Sequence, residues 1–216
     1  MAPIIVLGVA GVLQPVESLW LAEIRAACEG LAERGVAVDR FRAAALDRVR
    51  QGRAPALVQT ARAAGLALSP EDGCRLVLEA RRAIPAAPDE LPREALRALR
   101  TGHRLAVLDQ GAGNRMDTWL ARLGVADLAE RCVWTDDLGE QARPPRPLAF
   151  RWLASRLGAA PDDCLYVAGR ADLRRAALAA GWRTWDSAAS DPSRAADLWT
   201  LVADLEAAAK PQRVAE

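Results

Sequence analysis

Apolar residues fall along this chain in two rhythms, and the change between them divides it. Ile4-Ile5-Val6-Leu7 is an unbroken apolar run with no charged residue between Met1 and Glu17. That pattern predicts a central parallel strand covered on both faces rather than a half-exposed one. From Val16 the spacing lengthens, and Val16, Leu19, Trp20, Ile24, Ala27, Cys28 and Leu31 recur at three and four residues, predicting a helix over 16–34 that Gly35 ends. A second helix is predicted over 39–50 with Phe41 and Leu46 as anchors, and a third from near Pro55, in its first turn, to Gly65. A fourth is predicted from Ser69 to about Ala83: Ser69 caps it, Pro70 takes the first helical position, and Glu71 and Asp72 face the positive end of the dipole. Four helices without an intervening strand read as an inserted helical module.

After Pro85, Pro88 and Pro92 the strand rhythm returns. A helix over 91–100 leads through Gly102-His103 into Arg104-Leu105-Ala106-Val107-Leu108-Asp109, a second buried strand. A helix over 116–123 and a short strand at Cys132-Val133-Trp134 follow, then a Pro- and Arg-rich loop over 142–147, a helix over 148–157, and a strand at Cys164-Leu165-Tyr166-Val167-Ala168. The alanine-rich stretch 172–180 predicts a helix packed closely on a sheet, with a fifth strand at Trp182 to Trp185 and a terminal helix over 193–209. The βαβ alternation predicts an α/β fold with a three-layer, Rossmann-like parallel sheet core and the N-terminal strand at its centre. The core is expected over 1–15 and 86–216, and the helical cap over 16–85.

Composition narrows the function classes. The 216 residues carry a formal net charge of +1, and the only lysine is Lys210, so the basic side chains are almost all arginine. Because they are interspersed with Asp and Glu, no continuous positive field suits a nucleic-acid backbone. Cys28, Cys74, Cys132 and Cys164 are widely separated, and His103 is the sole imidazole. That combination speaks against a zinc site and for free thiols in a reducing compartment. With no apolar run long enough to span a bilayer and no signal-like N-terminus, a cytoplasmic chain without membrane association is expected.

The opening run ends in Gly8-Val9-Ala10-Gly11-Val12-Leu13. It resembles the start of the haloacid dehalogenase-like hydrolases, in which a buried strand runs into Asp-x-Asp-Gly-x-Leu. The resemblance covers roughly residues 3–186. Gly8 stands at the nucleophile position, Ala10 at the acid/base position, and Gly11 and Leu13 keep the loop. Leu-Ala-Val-Leu-Asp-Gln-Gly at 105–111 is similar to the second motif, with Asp109 at its hydroxyl position. Pro144 stands at the third-motif lysine, with Arg143 one residue away. Leu165 to Leu173 resembles the Val-Gly-Asp segment, with Gly169 and Leu173 at the metal-binding aspartates and Asp172 one residue out of register.

The resemblance implies the fold, an all-helical cap, and loss of the Mg²⁺-dependent phosphatase chemistry, since Gly8 cannot attack, Ala10 cannot move a proton and Gly169 offers no ligand. No metal or cofactor is expected. The leading expectation is a catalytically inactive protein serving as a structural, interaction or ligand-binding subunit, with a homodimer or another protein as partner. The arginines and the seven tryptophans, of which Trp152, Trp182, Trp185 and Trp199 lie in the C-terminal half, suit such contacts.

An enzyme alternative places non-phosphatase chemistry in the cap/core crevice, using Asp109 with Arg143 or Arg146 on a small-molecule ligand. Asp172 and the Asp136-Asp137 pair are further acids in reach of that edge. A third reading is an anion sensor using Gly8, Gly11 and neighbouring amides without turnover. Gly8, Gly11, Trp20, Asp109, Gln110, Arg143, Arg146 and Arg170 are the candidate ligand contacts. The plainer alternatives have Asp109 capping a loop or helix, Asp172 as an N-cap, Asp136 and Asp137 as solvated turn residues, and Trp20 and the other indoles in the core. His103 is expected at the sheet edge away from the crevice.

Overall fold

The computed structural model describes residues 3–81, 93–109, 117–118, 120–121, 124–134, 146–187 and 197–209. Five strands, β1 (Ile4–Leu7), β2 (Arg104–Asp109), β3 (Arg131–Trp134), β4 (Cys164–Ala168) and β5 (Arg183–Asp186), form one sheet in the order β3-β2-β1-β4-β5. Every pairing is parallel. β1 lies at the centre, with Ile4 opposite Arg104 on one side and Cys164 on the other.

The continuous apolar runs follow from cover on both faces. Ile5, Leu7, Leu105, Val107, Leu165 and Val167 point to one side and pack under α5 (Arg93–Gly102) and α8 (Leu198–Ala209). Ile4, Val6, Ala106, Leu108, Cys164 and Tyr166 point to the other, under α6 (Pro147–Leu157) and α7 (Ala171–Ala179). Each large aliphatic side chain so buried contributes about 1.5–3 kcal/mol. On that second face Phe150 meets Tyr166 and Trp182 edge-on, with centroids 5.0 and 5.3 Å apart.

Between β1 and α5 stand α1 (Val16–Glu33), α2 (Asp39–Arg50), α3 (Leu57–Ala63) and α4 (Pro70–Arg81). They bury an apolar cluster of their own, built on Ile24, Cys28, Leu31, Phe41, Val49, Leu76 and Ala80. An Arg34–Glu79 ion pair at 2.9 Å ties α1 to α4, and the Glu79 carboxylate occupies the space a Cβ at Gly30 would need. Ser69 caps α4 as its sequence requires, its hydroxyl oxygen accepting the Asp72 N–H at 3.0 Å.

Two local expectations are corrected. Pro55 precedes α3 instead of opening it, because Ala56 adopts a left-handed conformation (φ 46°) and the helix starts at Leu57. The Thr60 hydroxyl then donates to the Pro55 carbonyl at 2.5 Å. The segment 172–180 is shifted by one: α7 begins at Ala171, so Arg170 holds the N-cap position and Asp172 lies in the first turn. Among the described residues no helix is long and apolar enough to cross a membrane.

Candidate functional site

All crossovers leave the sheet at the C-terminal ends of its strands. The chain runs from β1 outward through β2 and β3, then crosses back to β4 on the opposite flank of β1. The strand order therefore reverses at β1, and crevices in open α/β sheets form outside that point. The loop Gly8–Pro15 stands there.

That loop is tightly tied. The Gly8 amide continues the ladder to the Val167 carbonyl at 2.9 Å. The Val9 carbonyl accepts from the amides of Val12, Leu13 and Gln14 at 3.2, 3.0 and 3.1 Å, and the Gly11 amide donates to Gln14 at 2.7 Å. Gly11 sits at φ +77°, which a residue with a side chain resists. Val9, Val12 and Leu13 anchor the loop in the core beneath. The Gly8 and Gly11 amides, expected as donors to a bound anion, are thus already engaged within the protein. Those two amides therefore do not face an anion.

The two glycines at this edge of the sheet differ. A Cβ at Gly8 would lie 3.4 Å from the Tyr166 hydroxyl and the Val167 carbonyl, ordinary contact distances. A Cβ at Gly169 would lie 3.2 Å from the Ser187 hydroxyl, 3.8 Å from Gly11 Cα and 3.9 Å from the Ala10 carbonyl. Buried Ser187 reaches across from the end of β5, its hydroxyl donating to the Gly11 carbonyl at 3.4 Å. Arg174 closes the same corner: Nη1 donates to the carbonyls of Ala168 and Gly169, both at 2.8 Å, and Nη2 pairs with Asp186 at 2.7 Å. A fixed guanidinium therefore serves the carbonyls at the end of β4.

Arg170 and Asp172 face each other in a forked pair at 3.1 and 2.6 Å. The hydrogen bonds from Arg170 hold the Asp172 carboxyl below its ordinary value against the opposing effect of burial. Asp172 is thus a paired anion, unsuited to donating a proton near neutrality, and Arg170 shares its charge with it. Leu173 is buried in the core and offers no ligand. Arg146 is exposed at the N-cap position of α6, the helix end that topology brings to the crevice edge. Trp20 packs against the helical module's own apolar cluster. Asp109 is the last residue of β2, paired in register with Trp134 at the same sheet edge as Gly8. Gln110, Asp136, Asp137, Arg143 and Pro144 lie outside the described residues.

The donor set does not suit the Mg²⁺ ion that the resemblance brings to this fold. Mg²⁺ needs carboxylate oxygens in near-octahedral array. Here Gly8, Gly169 and Leu173 supply none, Asp172 is held by Arg170, and the Gly169 corner is filled by Ser187. Among the described residues, no group of three or more His, Cys, Asp or Glu could hold a metal ion.

Ser187 and Arg174 were not anticipated, since each reaches the site through the sheet order and neither carries a local signal. His103 lies where expected, its Nδ1 3.2 Å from the Pro3 carbonyl at the opposite edge. Half-buried Cys132 and buried Cys164 are chemically quiet. Desolvation, reinforced by Asp117, raises the Cys132 thiol to about 11, and desolvation with Asp163 raises Cys164 to about 11.

No family model matches the chain, and no curated protein sequence does either. Solved structures match it closely in fold. A haloacid dehalogenase-like protein of unknown function from Agrobacterium tumefaciens superposes with a TM-score of 0.61 at 20% identity, covering 95% of this chain and 100% of that one. The L-2-haloacid dehalogenase of Xanthobacter autotrophicus gives 0.58 at 21% identity, covering 89% and 80%. The same dehalogenase with chloropropionic acid covalently bound matches equally, at 0.58 and 21%. The chain therefore has the haloacid dehalogenase-like fold. These matches overturn the expectation of a catalytically inactive structural, interaction or ligand-binding subunit: the structures that share this fold include L-2-haloacid dehalogenases, one of them with chloropropionic acid covalently bound.

Proposed function

We propose that this chain is a hydrolytic enzyme that acts without a divalent metal on a small organic acid, in the crevice at the C-terminal edge of its sheet. The observation that carries the reading is the closed Gly169 corner, where Ser187 and the Arg174 guanidinium stand in the region a metal-dependent relative would give to cation and carboxylate. The likeness to L-2-haloacid dehalogenases supports a 2-halocarboxylate as the substrate class.

The reaction assigned here is hydrolytic dehalogenation. Asp109 takes a proton from water as general base, the water oxygen bonds to C2 of the substrate, and the C2–halogen bond breaks with its electron pair leaving as halide. The product is a 2-hydroxy acid. Arg143 and Arg146 are the residues proposed to hold the substrate carboxylate, because Arg170 is already committed to Asp172.

The test is chloride release from each enantiomer of 2-chloropropionate with a chelator present. The expected result is release from one enantiomer, unaffected by chelation and lowered about a hundredfold or more by Asp109→Asn. Absence of release from both enantiomers, loss of rate on chelation, or full activity in Asp109→Asn would each overturn the proposal.

A further inference from the structure

Tyr166 is buried in the core, yet its hydroxyl reaches the edge of the sheet where the strand order reverses. The residue lies in the middle of β4, opposite Val6 of β1 and Thr184 of β5. It is 1% exposed, and its ring meets Phe150 edge-on at 5.0 Å, so packing holds the side chain in place. From there it leans toward the C-terminal ends of the strands and crosses β1. The hydroxyl passes beside Gly8, where a Cβ would lie 3.4 Å from it, and donates to the Leu108 carbonyl on β2 at 3.4 Å.

This bond falls where the ladder stops. β1 and β2 stay in register only as far as Leu7 and Val107, and the chain leaves β1 at Gly8 to form the tight loop. The Leu108 carbonyl thus lies one residue past the last pair with β1, and a side chain from β4 serves it in place of a ladder donor. Leu108 is itself buried, so water does not replace that donor cheaply. The bond is long for an O–H···O pair, and the tyrosine is fixed by its packing rather than by the bond. The Leu108 carbonyl shares one rigid plane with the Asp109 amide, and whatever orients the first orients the second. We infer that Tyr166 is a positioning residue: its hydroxyl holds the Leu108–Asp109 peptide and so sets the direction in which the chain at Asp109 leaves β2. Its effect on rate rests on the general-base role proposed above for Asp109.

Tyr166→Phe removes the oxygen and keeps the ring, and two measurements read the result. In nuclear magnetic resonance spectra of the native chain and the variant, the expected change centres on the Leu108 carbonyl carbon and the Asp109 amide nitrogen. In chloride release from the enantiomer of 2-chloropropionate that the native chain consumes, kcat should fall about tenfold with KM unchanged. Placed in the Asp109→Asn background, the same substitution should lower kcat by less than about twofold further, because it acts through a group already removed. A role confined to packing would give the same loss in both backgrounds and overturn the assignment. So would an unchanged kcat in the single variant, a loss confined to KM, or resonances at Leu108 and Asp109 that stay in place. Shifted resonances in a chain that releases no chloride would uphold the placement of Asp109 and sink the proposed reaction alone.

Discussion

The Gly8 and Gly169 ends of the crevice look alike in sequence, each a glycine where the resembling hydrolases carry an aspartate, yet they are physically opposite. At Gly8 the backbone is unstrained and a Cβ would meet its neighbours at 3.4 Å or beyond. At Gly169 the neighbouring groups stand closer, with Ser187 Oγ 3.2 Å from the Cβ position and the Arg174 guanidinium on the Gly169 carbonyl. One position has room for a side chain, and at the other a side chain would press on Ser187.

The sharpest way to break this contrast is at the loop joining the two ends. Gly11→Val forces a β-branched residue to φ +77° with the Val16 methyl in contact range, and should cost about 1–3 kcal/mol in urea unfolding. Next, Gly169→Ala should cost about 1 kcal/mol through the close approach to Ser187, and Ser187→Ala in the same chain should recover part of it. Simple additivity of the two changes would mean the corner is not closed by Ser187.

Smaller is the acid response of the Arg170–Asp172 pair. Because the folded-state value of Asp172 is depressed, its stabilising contribution is fully present above the ordinary aspartate value and disappears as pH falls through the depressed one. Asp172→Asn should therefore flatten part of the stability loss on acidification and leave the neutral-to-alkaline profile unchanged. The smallest effect belongs to Gly8→Ala, expected to be neutral or to stabilise by about 0.5 kcal/mol, since the backbone conformation accepts a side chain. A loss comparable to that of Gly11→Val would erase the distinction drawn here.

Much of the architecture was legible in the residue order. β2 and β4 match their predicted limits because Leu105 to Leu108 and Cys164 to Ala168 are unbroken apolar runs that need cover on both faces. The Ser69-Pro70-Glu71-Asp72 start of α4 was equally plain, since capping is local chemistry. Pro55 misled because its place depended on the left-handed turn at Ala56, and nothing in an alanine announces that conformation. The site was less readable for a related reason. Ser187 and Arg174 act at the crevice only because β5 lies beside β4, and the internal bonds of the Gly8 and Gly11 amides depend on how the loop closes.

Placing the first-made strand in the middle of the sheet has a consequence for synthesis. Ile4 to Leu7 leave the ribosome long before residues 104–107 and 164–167, their partners on either side, have been translated. The helical module can fold in the interval from contacts made entirely within itself. The opening strand must meanwhile wait with both apolar faces and both hydrogen-bonding edges bare. Slowing elongation after the module should therefore raise the share of nascent chain that aggregates.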